Sequence, residues 1–374
     1  MRAIREHGRR GEVNPTGDCA VIACRPRPGA IASAVASPGD DACDPAGDSE
    51  TDKRARAESS VMNPLQRYAP LVDDEEAFFA ACERPLPSVV RVNTIKTTVA
   101  RAREALDDEG VAYEPTDWHP GILKLEDSSP GTNWPYFHGW LHGQEEVSAL
   151  PAIALDPQPG ERVWDTCAAP GSKTTQIAAM MDDEGVLVGN DNNLGRLSAL
   201  RHNAERLGVT NLVVSNQDAR NFSMKPYGER TPERDASFEQ FDRVLVDAPC
   251  SCEGTCRKNP DVLDEWTMNH VKSVAGIQKG ILRRAVQVTK AGGTVVYSTC
   301  TFAPEENEAI LDFVLEREDC EVVEWDVPDG FETAPGITEW EGDEYDPSVT
   351  KARRVYPHHN DTGGFFTAKL EVTA

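Results

Sequence analysis

The stretch Asp165-Thr-Cys-Ala-Ala-Pro-Gly-Ser-Lys-Thr174 decides how the rest of this chain is read. Arg162–Asp165 before it is strand-like, and a helical period sets in near Lys173 and runs to Met181. A strand that turns into a helix through Ala168, Ala169, Pro170 and Gly171 keeps side chains small, so a ligand can approach the backbone closely. The helix start adds unpaired N–H groups. The run is neither a G-x-G-x-x-G fingerprint nor a P-loop, because Gly171-Ser-Lys-Thr lacks the upstream glycine at the required spacing. A nucleoside of little negative charge fits it better than a triphosphate, and taken alone it also reads as a tight strand–helix turn.

Working outward from this loop, strands and helices alternate. Strands are expected at Arg162–Asp165, Val186–Asp191, Leu212–Asn216, Arg243–Asp247 and Thr294–Ser298, with helices near Lys173–Met181, Leu194–Leu207 and Val271–Thr289. That rhythm is the signature of an α/β domain whose mostly parallel sheet is covered on both faces. Gly364–Val372 alternates as an antiparallel closing strand. Asp191 and Asp218 end the second and third strands, where carboxylates can take ribose hydroxyls or an adenine amino group as donors. Each singly reads as a helix N-cap. Three acids at three successive strand ends favour the nucleoside.

The domain so defined covers 151–374. Residues 62–150 read as a small α+β region, with a strand at Ser88–Thr94, a helix over Thr97–Glu109 turning Val99, Ala102 and Leu106 inward, and short strands at Val111–Tyr113 and Ile122–Leu125. Residues 1–61 are rich in Ala, Gly, Pro, Arg and Asp without sustained periodicity, and read as a disordered leader. Their charges nearly balance, whereas the acid excess begins near Met62, which is read as the true start, the leader being a mis-annotated start or a dispensable tail.

The net charge of −25 has the wrong sign for a polyanion binder judged by totals. Basic residues nevertheless gather at Arg257-Lys258, at Lys279 with Arg283-Arg284, and at Lys351 with Arg353-Arg354, while acids fill loops such as Asp73–Glu76. Adaptation to high salt accounts for that pattern better than general avoidance of nucleic acid. No run approaches the ~18 apolar residues of a membrane span. Ten cysteines in 374 residues do not make a disulfide scaffold, and a reducing cytoplasm is the natural compartment.

The fourth strand runs into Asp247-Ala-Pro-Cys250-Ser-Cys252-Glu-Gly-Thr-Cys256, and the fifth into Ser298-Thr-Cys300. In a parallel sheet Cys250 and Cys300 therefore arrive on the same edge as the cofactor turn. Cysteine is strongly nucleophilic and also leaves readily, which suits reversible addition to an electron-poor ring, although a lone cysteine in a strand is more often simply buried. The C-x-C-x3-C spacing of Cys250, Cys252 and Cys256 is irregular for zinc and has no nearby histidine, so no metal is expected.

From Met62 to its end the chain resembles the RNA 5-methylcytosine methyltransferases, the family of the bacterial Fmu/Sun proteins and their eukaryotic Sun relatives, and most resembles the archaeal tRNA branch, with a haloarchaeal charge balance. The resemblance lies in Arg91-Val-Asn-Thr, Asp165–Thr174, Asp191 with Arg196, Asp218, Asp247–Ser251, Arg257–Pro260, Ser298–Cys300 with Pro304-Glu-Glu-Asn-Glu, and Arg354 to Phe366. It implies a Rossmann-like S-adenosylmethionine methyltransferase sheet preceded by a small α+β RNA-binding region. It implies Cys300 as the nucleophile that adds to carbon 6 of cytosine, Cys250 as the residue assisting breakdown of the adduct, and Asp247 and Lys173 as active-site companions. It also implies that Cys167, Ala168, Ala169, Pro170, Gly171, Ser172 and Lys173, with Asp191, Arg196, Asp218 and Asp247, hold S-adenosyl-L-methionine. Ser172 departs from the glycine more usual there.

RNA is the implied partner, tRNA before rRNA, with Arg91, Asn93, Arg257, Lys258 and Arg354 as backbone contacts. The target base must leave any stack to meet Cys300. Trp134, Tyr136, Phe137 and Trp140 are candidates for stacking on bases, a domain-interface core being the preferred use. Two alternatives stand beside this reading. A DNA cytosine-5 methyltransferase places its nucleophile in a Pro-Cys pair like Pro249-Cys250, against which Thr299-Cys300 argues; the other is a catalytically silent RNA-binding factor.

Overall fold

The structure is a computed structural model and describes residues 63–126, 128–223 and 240–374. The expectations for residues 1–61 and for Met62 lie outside the described residues.

The N-terminal part carries helix α1 (Glu75–Glu83), strand β1 (Ser88–Val92), helix α2 (Val99–Asp108) and strands β2 (Tyr113–Pro115), β3 (Ile122–Leu125) and β4 (Leu141–Gly143). The strands form an antiparallel sheet in the order β2-β3-β1-β4. Thr98 caps α2 by accepting from Arg101 N at 3.3 Å, and Ala102 and Leu106, four residues apart on one helix face, cover Val90, Val92, Leu123 and Leu141. Strand β4 lies outside the elements expected from sequence; its three residues are too few to show a period.

Helix α3 (Leu150–Leu155) leads into β5 (Arg162–Asp165), α4 (Ser172–Met180), β6 (Val186–Asn190), α5 (Leu194–Leu207), β7 (Leu212–Ser215), β8 (Phe241–Asp247), α6 (Met268–Val288), β9 (Thr289–Thr299), α7 (Glu308–Leu315), β10 (Cys320–Val323), β11 (Arg353–Val355) and β12 (Phe365–Val372). The nine-stranded sheet runs Ala334–Pro335, β11, β12, β9, β8, β5, β6, β7, with β10 against β12. Strands β7, β6, β5, β8 and β9 are mutually parallel, and β12 is antiparallel to β9. The last strand is thus not a closing edge; it lies inside the sheet, which is why Phe365–Ala368 are buried without alternation.

Successive residues of the central strands feed opposite faces. Val244, Val246, Val295 and Tyr297 join one core with Ile281, Leu282 and Ala285 of α6 and Ile310 and Leu311 of α7. Leu245, Val296, Val163 and Phe365 join the other with Leu150 and Leu155 of α3 and Ile177 of α4. Burial on both faces is what makes these strands read as unbroken apolar runs. Among the described residues no helix is long and apolar enough to cross a membrane.

One charge pair is sealed inside. Arg354 donates from Nε to Glu308 Oε1 at 2.8 Å and from Nη1 to Phe302 O at 3.0 Å, with Nη2 on Glu308 Oε2, and only 1% of it is exposed. Arg354→Met is expected to lower unfolding stability by ~3–5 kcal/mol, because it strands Glu308 without its cation. Chemical denaturation of both proteins measures it, and a loss below ~1 kcal/mol would contradict the account.

Candidate active site

The loop of residues 166–171 follows β5, and its backbone is tied to the next strand by Ala168 N donating to Asn190 O at 2.7 Å. Gly171 has φ +110°, and a Cβ there would lie 2.9 Å from Leu200 Cδ1, so glycine answers both the turn and the close approach of α5. Ser172 begins α4, and its hydroxyl lies 3.0 Å from His142 Nε2. Burial, reinforced by Arg91 and Arg206, pushes His142 down to about 3, so the ring is neutral. Arg206 Nη2 donates to His142 Nδ1 at 3.0 Å, which places the remaining proton on Nε2, facing Ser172. The serine standing in the glycine's place thus has a defined partner on β4.

Asp191, just past β6, is 2% exposed. Its Oδ1 accepts from Asn193 N at 2.8 Å, while Oδ2 lies 3.1 Å from Arg196 Nη1 without the alignment of a hydrogen bond and keeps an unused acceptor. Arg196 also donates from Nη2 to Ala169 O, clamping the loop. Asp218 behaves differently. It caps the turn Ala219–Asn221 by accepting from Arg220 N at 3.0 Å, and both its oxygens accept from the Arg220 guanidinium. Those bonds, the Arg220 side chain first, hold it below the usual carboxylate range. The capping role that a lone aspartate suggests is what the structure shows for Asp218.

At the chemistry end, β8 and β9 run side by side with Asp247 opposite Ser298. Three residues beyond the first and two beyond the second, Cys250 Sγ and Cys300 Sγ lie 3.2 Å apart. Lys173 Nζ donates to Asp247 Oδ2 at 2.8 Å, and Ser298 Oγ to Asp247 Oδ1 at 3.0 Å. Burial works against the Lys173 charge, but Asp247 outweighs it and its pKa is raised, so the ammonium is kept. Gly254 N donates to Cys300 O at 3.0 Å, and a Cβ on Gly254 would lie 2.7 Å from that same oxygen, so only glycine lets the two cysteine loops meet. The Cys250 thiol is held well above its ordinary value by hydrogen bonds with Cys252 and Cys300 and by burial. For Cys300 the Cys250 contact favours the thiolate, but Cys252 and burial outweigh it, so the thiol form is the resting one.

Sequence reasoning missed the layer behind these loops. Ser251 Oγ lies 2.5 Å from Glu253 Oε2 and contacts Glu306 Oε1, while Tyr68 Oη and Thr301 Oγ1 donate to Glu253 Oε1 at 2.6 and 2.7 Å. One hydroxyl proton cannot serve two carboxylates, so a further proton must reside on the pair. Burial, then the Glu253 charge, pushes Glu306 up to about 8, which names its site. Because the folded pKa exceeds the ordinary 4.5, the stability this proton contributes is complete below about 4.5 and is lost as pH rises toward about 8. Glu306→Gln is expected to gain in melting temperature relative to wild type between pH 5 and pH 8; a pH-independent difference would remove the assignment.

The expected RNA contacts need correction. Arg91 donates to Gln144 Oε1 at 2.8 Å and to Thr175 Oγ1 at 3.1 Å, and Asn93 Nδ2 to Gly139 O and Leu207 O, both at 2.8 Å. Arg257 serves Arg84 O, Pro85 O, Thr362 O and Asp361. Arg354 is enclosed with Glu308. All four are buried, and their donors brace the N-terminal sheet and the site loops; Lys258 alone of the five is exposed. The aromatic group divides: Phe137 is 76% exposed and Trp134 39%, whereas Tyr136 packs on the N-terminal core with Arg206 over its ring.

Residues 152–371 match the family described as 16S rRNA methyltransferase RsmB/F, and residues 62–131 match an RsmF/B-like ferredoxin-like domain. A Pyrococcus abyssi protein named tRNA (cytosine(49)-C(5))-methyltransferase is 37% identical, the match covering 82% of this chain and 94% of that one. A Vibrio parahaemolyticus protein named ribosomal RNA small subunit methyltransferase F is 38% identical over 83% of this chain, which spans 62% of that longer protein. Among solved structures, a methyltransferase homolog protein from Pyrococcus horikoshii superposes with a TM-score of 0.69 at 32% identity, covering 82% of this chain and 93% of its own. With both the sheet and the N-terminal part matched at this level, the chain belongs to the RsmB/F methyltransferase family.

Proposed function

We propose that the chain transfers a methyl group from S-adenosylmethionine to carbon 5 of a cytosine in RNA, through a covalent adduct of Cys300 with carbon 6, and that tRNA is its substrate. The observation that carries this is the pair of thiols 3.2 Å apart at the ends of neighbouring parallel strands, beside Asp247 and Lys173. Carbon 5 of cytosine is a poor nucleophile until a thiolate adds at carbon 6 and makes the ring an enamine. Cys300 supplies that thiolate once its proton leaves. Asp247, oriented by Lys173 and Ser298, passes the proton that Cys300 gives up to N3 as the ring takes up the thiolate, and then accepts a hydrogen bond from the N3–H so formed. Cys250 helps take the carbon 5 proton and release Cys300 by elimination.

The loop at Cys167–Lys173 and the buried Asp191, with its free acceptor, suit a nucleoside that offers hydroxyl donors. Bound S-adenosylmethionine supplies the electrophilic methyl that carbon 5 takes up. Asp191→Ala is expected to raise KM for S-adenosylmethionine by ~10–100-fold with little change in kcat, the signature of lost binding shared by ground and transition states. Steady-state kinetics with cofactor varied checks it, and an equal fall in kcat would contradict it.

The tRNA preference rests on the Pyrococcus abyssi relative, whose length this chain nearly spans. Methyl transfer from labelled cofactor to separated archaeal tRNA and rRNA, followed by bisulfite sequencing, tests both parts. Label in 5-methylcytosine of tRNA supports them; label in rRNA alone overturns the substrate, and none in either overturns the activity.

A further inference from the structure

Three sulfurs meet at the strand ends, and the reaction proposed above uses two. Cys252 Sγ lies 3.7 Å from Cys250 Sγ, and the Sγ atoms of Cys250, Cys252 and Cys300 all fall within 4.8 Å of one another. We propose that these three cysteines form a binding site for a thiophilic d10 cation of the zinc class, and that its occupation reversibly silences the enzyme. The silencing rests on the function proposed above; the binding does not.

Four sulfurs around zinc, at Zn–S ≈ 2.3 Å, stand about 3.8 Å apart along each tetrahedral edge. The Cys250–Cys252 edge is already 3.7 Å, and the Cys250–Cys300 edge, at 3.2 Å, has only to open slightly by side-chain rotation. The backbone holds the trio in place: Gly254 N bonds Cys300 O, and Gly364 N bonds Gly254 O at 2.8 Å. Among the described residues no histidine or carboxylate joins the group, so a fourth position is left to water, the pattern of an exchangeable rather than a closed structural site. The grouping is not the one the linear spacing suggests. Cys256 packs with Tyr68, Phe78 and Phe302, and Cys300 takes its place from 50 residues away.

Cys252 itself is the second observation. It sits at φ 65°, ψ 12°, a left-handed conformation that a non-glycine residue rarely adopts. Glycine would satisfy that turn without strain. The cysteine that occupies it places a thiol 3.1 Å from Cys250 O, against the other two sulfurs. Without it the site would be a two-sulfur chelate.

The chemistry balances without any change of oxidation state. Each thiol that coordinates gives its proton to solvent, and its sulfur lone pair goes to the cation. Cys300 then lacks the pair it needs for carbon 6, and Cys250 is held as well. A chelator reverses this. A Cys250–Cys300 disulfide, by contrast, needs an oxidant and yields only to a reductant.

The test uses the full chain kept reduced with a phosphine and titrated with Cd2+, followed by thiolate-to-cadmium charge-transfer absorption. Wild type minus Cys252→Ser is expected to show one tight cadmium with three thiolates, absent from the variant. The variant should bind at least ~100-fold more weakly, since even an outer-shell partner is worth ~10–100-fold in affinity. Cys252→Gly, which suits the backbone, should behave likewise and guards against misfolding. Both variants should keep methyl transfer without metal and need correspondingly more Zn2+ for inhibition, and EDTA should restore the inhibited wild type. Equal cadmium affinity in wild type and both variants, or a two-thiolate spectrum in wild type, overturns the site. Failure of methyl transfer on every RNA tried, with the cadmium difference intact, would overturn the proposed function and leave the site standing.

Discussion

Cys300→Ala is expected to lower methyl transfer to RNA by ~10⁴-fold or more, about 5 kcal/mol in the barrier, and to leave no covalent enzyme–RNA complex. The size follows from what the thiolate does. Without addition at carbon 6 the ring has no enamine, and binding both reactants side by side cannot make carbon 5 nucleophilic enough. No neighbouring group takes over. Cys250 Sγ is 3.2 Å away but comes from the other strand end, so its line of approach to a base seated on Asp247 differs. Asp247 and Lys173 do not touch Cys300 by hydrogen bond, so the variant should fold and bind cofactor as wild type does. Incubation with RNA containing 5-azacytidine, resolved on a denaturing gel, reads the adduct directly. A persistent adduct in Cys300→Ala would move the nucleophile elsewhere.

Much of this site was legible because parallel sheets impose it. Once Arg162–Asp165, Arg243–Asp247 and Thr294–Ser298 are read as parallel strands, their carboxyl ends share one edge, and whatever follows them is brought together. That alone brings the loop after Asp165, Asp191, Asp247, Cys250 and Cys300 to one edge; the roles expected of them came from the family resemblance. What stayed hidden depends on pairings far apart in sequence. Arg354 looked like half of a basic surface pair; its burial is decided by Glu308, 46 residues earlier, and by the unforeseen placement of β12 inside the sheet. Arg257 read as a phosphate contact because three of its four partners are backbone carbonyls, which carry no residue-type signal, and the fourth, Asp361, lies 104 residues away. Cys252 was grouped with Cys256 by spacing, while the turn at Cys252 sends the two sulfurs to different neighbours. Of the Glu253–Glu306 pair only Glu253 had a visible sign, an acid in a small-residue stretch; Glu306 stands between Glu305, Asn307 and Glu308, and nothing in one dimension says that the two face each other across Ser251.

The exchange of roles between the cysteines is where the largest remaining contrast lies. With the roles proposed above, Cys250→Ala keeps the nucleophile and removes the group that assists elimination, so the expected result is the opposite of that for Cys300→Ala. A covalent complex with ordinary cytosine RNA should accumulate, and multiple turnover should fall by ~10²–10⁴-fold, the range of general acid–base assistance. Adduct formation in a single turnover should slow only modestly. Cys250 donates a hydrogen bond that favours the Cys300 thiolate, so its loss shifts the rise of adduct formation to higher pH. That shift is a second reading on the same variant: it appears only if Cys300 is the attacking sulfur. If instead Cys250 were the nucleophile, as in a Pro-Cys arrangement, Cys250→Ala would form no adduct at any pH and Cys300→Ala would trap one. The two variants therefore assign attack and release with one gel and one pH series.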